Sequence, residues 1–281
     1  MKFLVTGANG FIGQYIVSSL LKLSHTVIAT GRGENKNSQL QTNNNFKYKK
    51  YEMVSEKTSE NLLEYFDFPE AVIHLAWEGL PNYKESFHIT KNVPSSFNLI
   101  SNLIDNGLKN ITIAGTCMEY GNQEGKLNEM ISCNPNTSYS IAKNKLRLKL
   151  LAFQKEKSFN LKWVRIFYMF GKGQNEKSLF SQLDNAIKLN YKTFNMSKGD
   201  QLRDFLPVEV VAKYLISIAE KNDNIGIINC CSGKPIKVID FVKSYINQQK
   251  SLIKINPGFY PYSDIEPNFF WGDNTKLKKI V

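Results

Sequence analysis

The sequence predicts an α/β fold built on a doubly wound parallel sheet, with a smaller C-terminal portion. Three observations carry that expectation. Short β-rich apolar stretches alternate with longer amphipathic ones, a glycine-rich turn joins the first strand to the first helix, and 281 residues suffice for one large domain plus a smaller part. Residues 3–6, 26–30, 46–51, 71–76, 111–115, 161–168 and 226–230 read as strands. Residues 11–23, 94–106, 139–155 and 208–221 read as the crossover helices between them. Segment 171–202 and the tail after Ser251 break this rhythm and carry much of the Gly, Pro, Asn and aromatic content.

The turn is Gly7-Ala8-Asn9-Gly10-Phe11-Ile12-Gly13, placed directly after the first strand. Glycines there allow a tight turn, close approach of backbone to a pyrophosphate and close helix–strand packing. The helix N-terminus adds unpaired N–H groups and a positive dipole. The reading is a Rossmann-type dinucleotide-binding unit in which Gly7, Gly10, Phe11, Ile12 and Gly13 meet the cofactor. Residues 1–170, joined by 203–232, are expected to hold that cofactor, and 171–202 with 233–281 to hold the substrate. The second strand ends in Thr30-Gly31-Arg32, with no carboxylate where one would bind a ribose 2′-hydroxyl. A guanidinium at Arg32 can pair with a 2′-phosphate, so NADP (NADPH) is expected rather than NAD.

Tyr139 and Lys143 are four residues apart at the start of a predicted helix, on one face. A second Tyr-x-x-x-Lys match, Tyr168 and Lys172, runs into Gly171 and Gly173 and lacks a helical setting. A tyrosine is a poor acid–base group at a pKa of ~10, and a neighbouring ammonium is expected to lower that value. Thr116, at the C-terminal end of the 111–115 strand, supplies a hydroxyl to hold a carbonyl. Thr116, Tyr139 and Lys143 are thus the predicted catalytic set, with Tyr139 and Lys143 also reaching the cofactor.

Composition narrows the alternatives. Hydrophobic residues at 42% and charged residues at 22% fit a folded globular chain rather than a disordered one. The formal charge of +11 is spread along the chain without a run of five or six like charges, so an anionic small ligand explains it and no nucleic-acid partner is expected. Three histidines and the cysteines Cys117, Cys133, Cys230 and Cys231 show no metal-ligand spacing, so no metal is expected. Reduced thiols, with no targeting or membrane-spanning segment, point to a cytoplasmic protein.

Gly7-x-x-Gly10-x-x-Gly13, Val72-Ile73-His74-Leu75-Ala76, Asn92-Val93, Thr116 to Gly121, Tyr139-x-x-x-Lys143, Arg165-Ile166-Phe167 and Arg203-Asp204-Phe205 together resemble the extended short-chain dehydrogenases, the NAD-dependent epimerase/dehydratase family acting on nucleotide sugars. The resemblance implies that Leu75 and Ala76 line the cofactor, that Glu52 and Met53 lie near the adenine, and that Asn92 braces the active-site helix. It implies substrate contacts from Trp77, Thr116, Tyr168 and Arg203, the last gripping the diphosphate, and a homodimer built on the 94–106 and 139–155 helices.

The departures from the family pattern are informative. Cys117-Met118 stands where 4,6-dehydratases carry an Asp-Glu pair, so the carboxylates that eliminate water are missing. Met118 replaces the cysteine of the 3,5-epimerase-reductases, Tyr168 replaces a common Asn, and Val210 a frequent acidic residue. The expected activity is NADPH-dependent reduction of a nucleotide-linked 4-keto-6-deoxyhexose to the 6-deoxyhexose. The alternatives are a 4-epimerase with tightly held NAD and a non-catalytic NADP-binding sensor.

Overall fold

A computed structural model describes residues 1–35, 40–262 and 267–281. Its centre is a seven-stranded, wholly parallel sheet of β1 (Lys2–Thr6), β2 (Thr26–Gly31), β3 (Phe46–Lys50), β4 (Ala71–His74), β5 (Asn110–Thr116), β6 (Asn160–Ile166) and β7 (Gly226–Cys230). The spatial order is β7-β6-β5-β4-β1-β2-β3, so the winding reverses between β1 and β4. Such a switch point opens a crevice at the carboxyl ends of the two strands.

The helices are α1 (Phe11–Lys22), the single turn α2 (Leu62–Tyr65), α3 (Val93–Asp105), α4 (Ser138–Glu156), α5 (Leu179–Lys188), α6 (Val208–Ala219) and α7 (Val238–Gln248). Alternation along the strands divides the core in two. Phe3, Val5, Val27 and Ala29 pack on one face with α1 and α6, while Leu4, Ile28, Val72 and Ile111 pack on the other with α3 and α4. A third apolar cluster joins Leu183 and Ala186 of α5 to Phe241, Val242 and Ile246 of α7.

Local chemistry fixes the helix that matters most. Thr137 caps α4 by accepting from the N–H of Ser140, whose hydroxyl returns a bond to the Thr137 N–H. That reciprocal pair sets where the helix begins, and therefore where Tyr139 and Lys143 stand.

The structure corrects two of these boundaries and adds two helices. The strand expected over 161–168 leaves the sheet at Ile166, and Tyr168–Phe170 pairs instead with Phe205–Pro207. The strand expected over 71–76 ends at His74, which frees Leu75 and Ala76 to approach the glycine turn. Helix α5 lies in a segment read as a break in the rhythm, and α7 in a stretch to which no helix was assigned. Among the described residues no helix is long and apolar enough to cross a membrane.

Candidate active site

The glycine turn fits a dinucleotide. Gly7 sits at φ +69, and a Cβ there would stand 2.8 Å from the Ala76 nitrogen. A Cβ at Gly13 would stand 2.2 Å from the Gly7 carbonyl oxygen. The side-chain-free turn therefore leaves open backbone at the N-terminus of α1, whose first N–H groups have no intrahelical acceptors. A cleft of about 910 Å³ extends from it, lined by Gly7, Gly10, Leu75, Ala76, Trp77 and Asn92 and, beyond β2 and β3, by Arg32, Glu52 and Met53. The residues present fit a nicotinamide dinucleotide. Gly13→Ala is expected to weaken binding of the cofactor by tenfold or more and to cost roughly 1–3 kcal/mol of stability, since a methyl there must push backbone; titration calorimetry and thermal unfolding would read the two effects.

Two residues of the turn would meet a cofactor through their backbone N–H groups and not their side chains. The Phe11 ring packs edge-on against Tyr15 at 6.0 Å, and Ile12 packs on the α1 core, so neither side chain lines the cleft. Gly13 also stands outside it and makes the turn possible rather than touching a ligand.

A polar relay pins β1 and β4 at this point. The Thr6 hydroxyl accepts from the N–H of Leu75 and Ala76 at 3.2 Å each, which leaves its own proton for His74 Nδ1 at 2.9 Å. The ring is therefore assigned as neutral with its proton on Nε2, and burial pushes its pKa down to about 3.

The predicted catalytic residues converge where β5 ends. Thr116 closes β5 and caps the 3-10 turn Cys117–Tyr120, accepting from the Met118 N–H at 3.2 Å. Its side chain also acts on that of Tyr139, in the first turn of α4, and favours the phenolate form. One turn on, Lys143 Nζ donates to the Ala114 carbonyl at 2.8 Å and lies 3.9 Å from the centroid of the Trp77 ring. Tyr139 and Lys143 are both buried.

Burial acts on both in opposite senses. It lowers the Lys143 pKa to about 7, with Glu119 opposing, and it raises that of Tyr139, with Tyr83 and Glu119 adding to the rise and Thr116 opposing it. The expectation that Lys143 lowers Tyr139 is thus not met. Desolvation outweighs an ammonium 5.9 Å from the phenol ring centroid.

Beneath this set lies a charged cluster that the sequence did not announce. Glu119, fully buried, accepts from the Thr116 N–H at 2.9 Å, from Trp163 Nε1 at 2.9 Å and from Arg165 Nε at 3.0 Å, with Arg147 Nε at 3.8 Å. Gly115 has no side chain because a Cβ would stand 2.4 Å from Trp163 Nε1. The only sequence signal was Trp163-Val164-Arg165, two large polar-tipped residues on one side of a strand.

Asn92 donates to the Glu78 carbonyl at 3.0 Å and to His88 Nδ1 at 3.2 Å, not to α4 itself. Its link to the helix runs through His88, whose ring lies 5.5 Å from that of Tyr139. Arg32 forms an ion pair with Glu78, which Lys91 also holds at 2.9 Å. Tyr168 and Arg203 do not line the large cleft. The Arg203 guanidinium lies 5.5 Å from the centroid of Tyr168 and 4.9 Å from that of Phe270, and donates to the carbonyls of Leu202 and Asn268 at 2.8 and 3.0 Å. Asp204 accepts from the N–H groups of Ser232 and Gly233 at 2.6 and 2.9 Å.

Residues 3–231 match the model of the NAD dependent epimerase/dehydratase family. The chain belongs to that family. Within it, the chain is 31% identical to the dTDP-6-deoxy-L-talose 4-dehydrogenase (NAD(+)) of Aggregatibacter actinomycetemcomitans over 97% of this chain and 99% of the relative. It is 25% identical to the GDP-6-deoxy-D-talose 4-dehydrogenase of the same organism, over 100% of this chain and 91% of the relative. The solved UDP-N-acetylglucosamine 4-epimerase of Methanobrevibacter ruminantium M1 superposes with a TM-score of 0.87 at 24% identity, covering 99% of this chain and 91% of that one, a likeness of fold. Membership in the epimerase/dehydratase family makes the chain an enzyme of nucleotide-sugar metabolism that works with a nicotinamide cofactor.

Proposed function

We propose that this enzyme interconverts a nucleotide-linked 4-keto-6-deoxyhexose and the 6-deoxyhexose, running as an NADPH-dependent ketoreductase. The observation that carries the reading is the convergence of the Thr116 and Tyr139 side chains beside the buried ammonium of Lys143. The names of two relatives, both 4-dehydrogenases of nucleotide-linked 6-deoxytaloses, support redox chemistry at the 4-position.

The cofactor, when bound, supplies or accepts a hydride at the sugar carbon. Thr116 and Tyr139 hold the sugar oxygen between their hydroxyls, and Tyr139 donates its proton to that oxygen as the ketone becomes an alcohol. A phenol whose pKa burial has raised is protonated at neutral pH, which suits it to act as the acid in reduction. Lys143 places a positive charge near the phenolate that is left. Arg203, by this reading, takes the diphosphate, with Tyr168 and Phe270 stacked against its guanidinium. Residues 1–170 with 203–232 serve the cofactor, and 171–202 with 233–281, whose α5 and α7 share a core, serve the sugar nucleotide. Four free thiols suit a reducing, cytoplasmic setting, and the homodimer that the family resemblance implies would join α3 and α4 to their copies.

Arg32 supports NADPH by its charge at the end of β2, although Glu78 competes for it and one relative is named for NAD(+). Arg32→Ala is expected to weaken NADPH binding by roughly 10–100-fold and to leave NADH within threefold, read by fluorescence titration of both. Equal losses for the two cofactors would remove the 2′-phosphate assignment. An enzyme that reduces ketones must release its cofactor each turnover, so the purified protein is expected to carry far less than one nucleotide per chain. NAD retained at one per chain after gel filtration would favour the 4-epimerase.

A further inference from the structure

We propose that Trp77 is a positioning residue for Lys143, holding the ammonium against its indole face while His88 fixes the indole by its N–H edge. The inference rests on Lys143 being part of the reacting site and assigns the group that keeps it there.

The problem it answers is physical. Lys143 is 2% exposed, and a buried ammonium is costly unless something replaces its water. Among the described contacts, its nitrogen has the Ala114 carbonyl at 2.8 Å and the Trp77 ring centroid at 3.9 Å, with the Tyr139 ring more distant at 5.9 Å. One neutral acceptor and one π face therefore stand in for a hydration shell. The indole face is the strongest such surface a side chain offers to a cation.

Trp77 is itself fixed. Its Nε1–H donates to His88 Nδ1 at 3.1 Å, and the two rings lie edge to edge near one plane, with centroids 6.3 Å apart and 20° between them. With Nδ1 accepting, the proton of the buried ring lies on Nε2, which donates to the Asn82 carbonyl at 3.0 Å. The Trp77 ring also meets Tyr139 edge-on at 6.0 Å, so one indole touches both members of the Tyr/Lys pair. The titratable groups facing Lys143 are Glu119, which favours its charge, His74 and His88, which are disfavoured by it and held neutral by burial, and Tyr139.

The test is the pH titration of Lys143 by NMR of its side-chain carbons in the cofactor-free protein, in wild type, Trp77→Phe and Trp77→Leu. A cation–π contact in a desolvated site changes the protonation equilibrium by about tenfold, or one pH unit. Trp77→Leu is expected to lower the Lys143 midpoint by about one unit, and Trp77→Phe, which keeps a ring face but not the bond to His88, by less. The alkaline limb of the rate profile moves down by the same amount in Trp77→Leu. An unmoved midpoint in Trp77→Leu overturns the proposal, as does an equal shift in both variants, which would point to the lost His88 bond rather than the π face. If Trp77→Leu does not fold, the Phe variant decides alone: a midpoint lowered by a full unit or more contradicts it, and a smaller fall supports it. Because the titration needs no substrate, it remains decisive even if the sugar proves to be of another class.

Discussion

Tyr139→Phe is expected to lower kcat by about 10³-fold while the cofactor still binds within threefold of wild type. The phenol oxygen is the atom that this reading gives to the proton transfer, and the ring without it still fills the space between Trp77, Tyr83 and His88. The variant should therefore fold and saturate normally and fail only in the proton transfer. Steady-state kinetics with calorimetric cofactor titration separates the two effects. A residual rate within tenfold of wild type would show that another group carries the proton, and Lys143, whose pKa burial brings to about 7, would be the first to examine.

The second large effect is on stability. Glu119→Ala removes the carboxylate that receives the Thr116 N–H, the Trp163 indole and Arg165, and leaves a fully buried guanidinium without its anion. Removing one partner of such a pair costs about 3–5 kcal/mol, or roughly 10 °C in Tm for a chain of this size. Thermal unfolding followed by circular dichroism measures it. Glu119→Gln should recover only part of the loss, because an amide keeps an acceptor for the N–H groups but not the charge for Arg165. A Glu119→Ala protein as stable as wild type would mean that water enters and pays the debt of Arg165.

These effects separate what was legible from what was not. Six of the seven sheet strands were visible as largely apolar runs, because a parallel sheet buries both faces, while β3, Phe46–Lys50, is a lysine-rich edge strand with only Phe46 buried. The end of β6 was misplaced because Phe167 prolongs the apolar run after the chain has turned away toward Phe205–Pro207. Helix α5 had a readable signal, a Ser178 cap and apolar residues at Leu179, Phe180, Leu183, Ala186 and Ile187, masked by surrounding Asn, Gln and Lys. In the site, the glycine turn and the Tyr139/Lys143 pair could be picked out because their spacing is local to one turn or one helix, and Thr116 because it ends a strand at the carboxyl edge of the sheet. Glu119 was not, since its meaning lies in Arg165, 46 residues away on a neighbouring strand. The same is true of Trp77, whose partners His88 and Lys143 come together only when the loop after β4 folds over α4.

The most direct test of the account is the reduced-nicotinamide absorbance while the purified enzyme is mixed with NADPH and freshly generated dTDP-, GDP-, CDP- or UDP-4-keto-6-deoxyhexose. The account predicts oxidation of one NADPH per sugar with one of these nucleotides, abolished in Tyr139→Phe. No oxidation with any of them, in protein that binds cofactor and instead inverts a nucleotide-linked hexose at its 4-position without net oxidation, would contradict it.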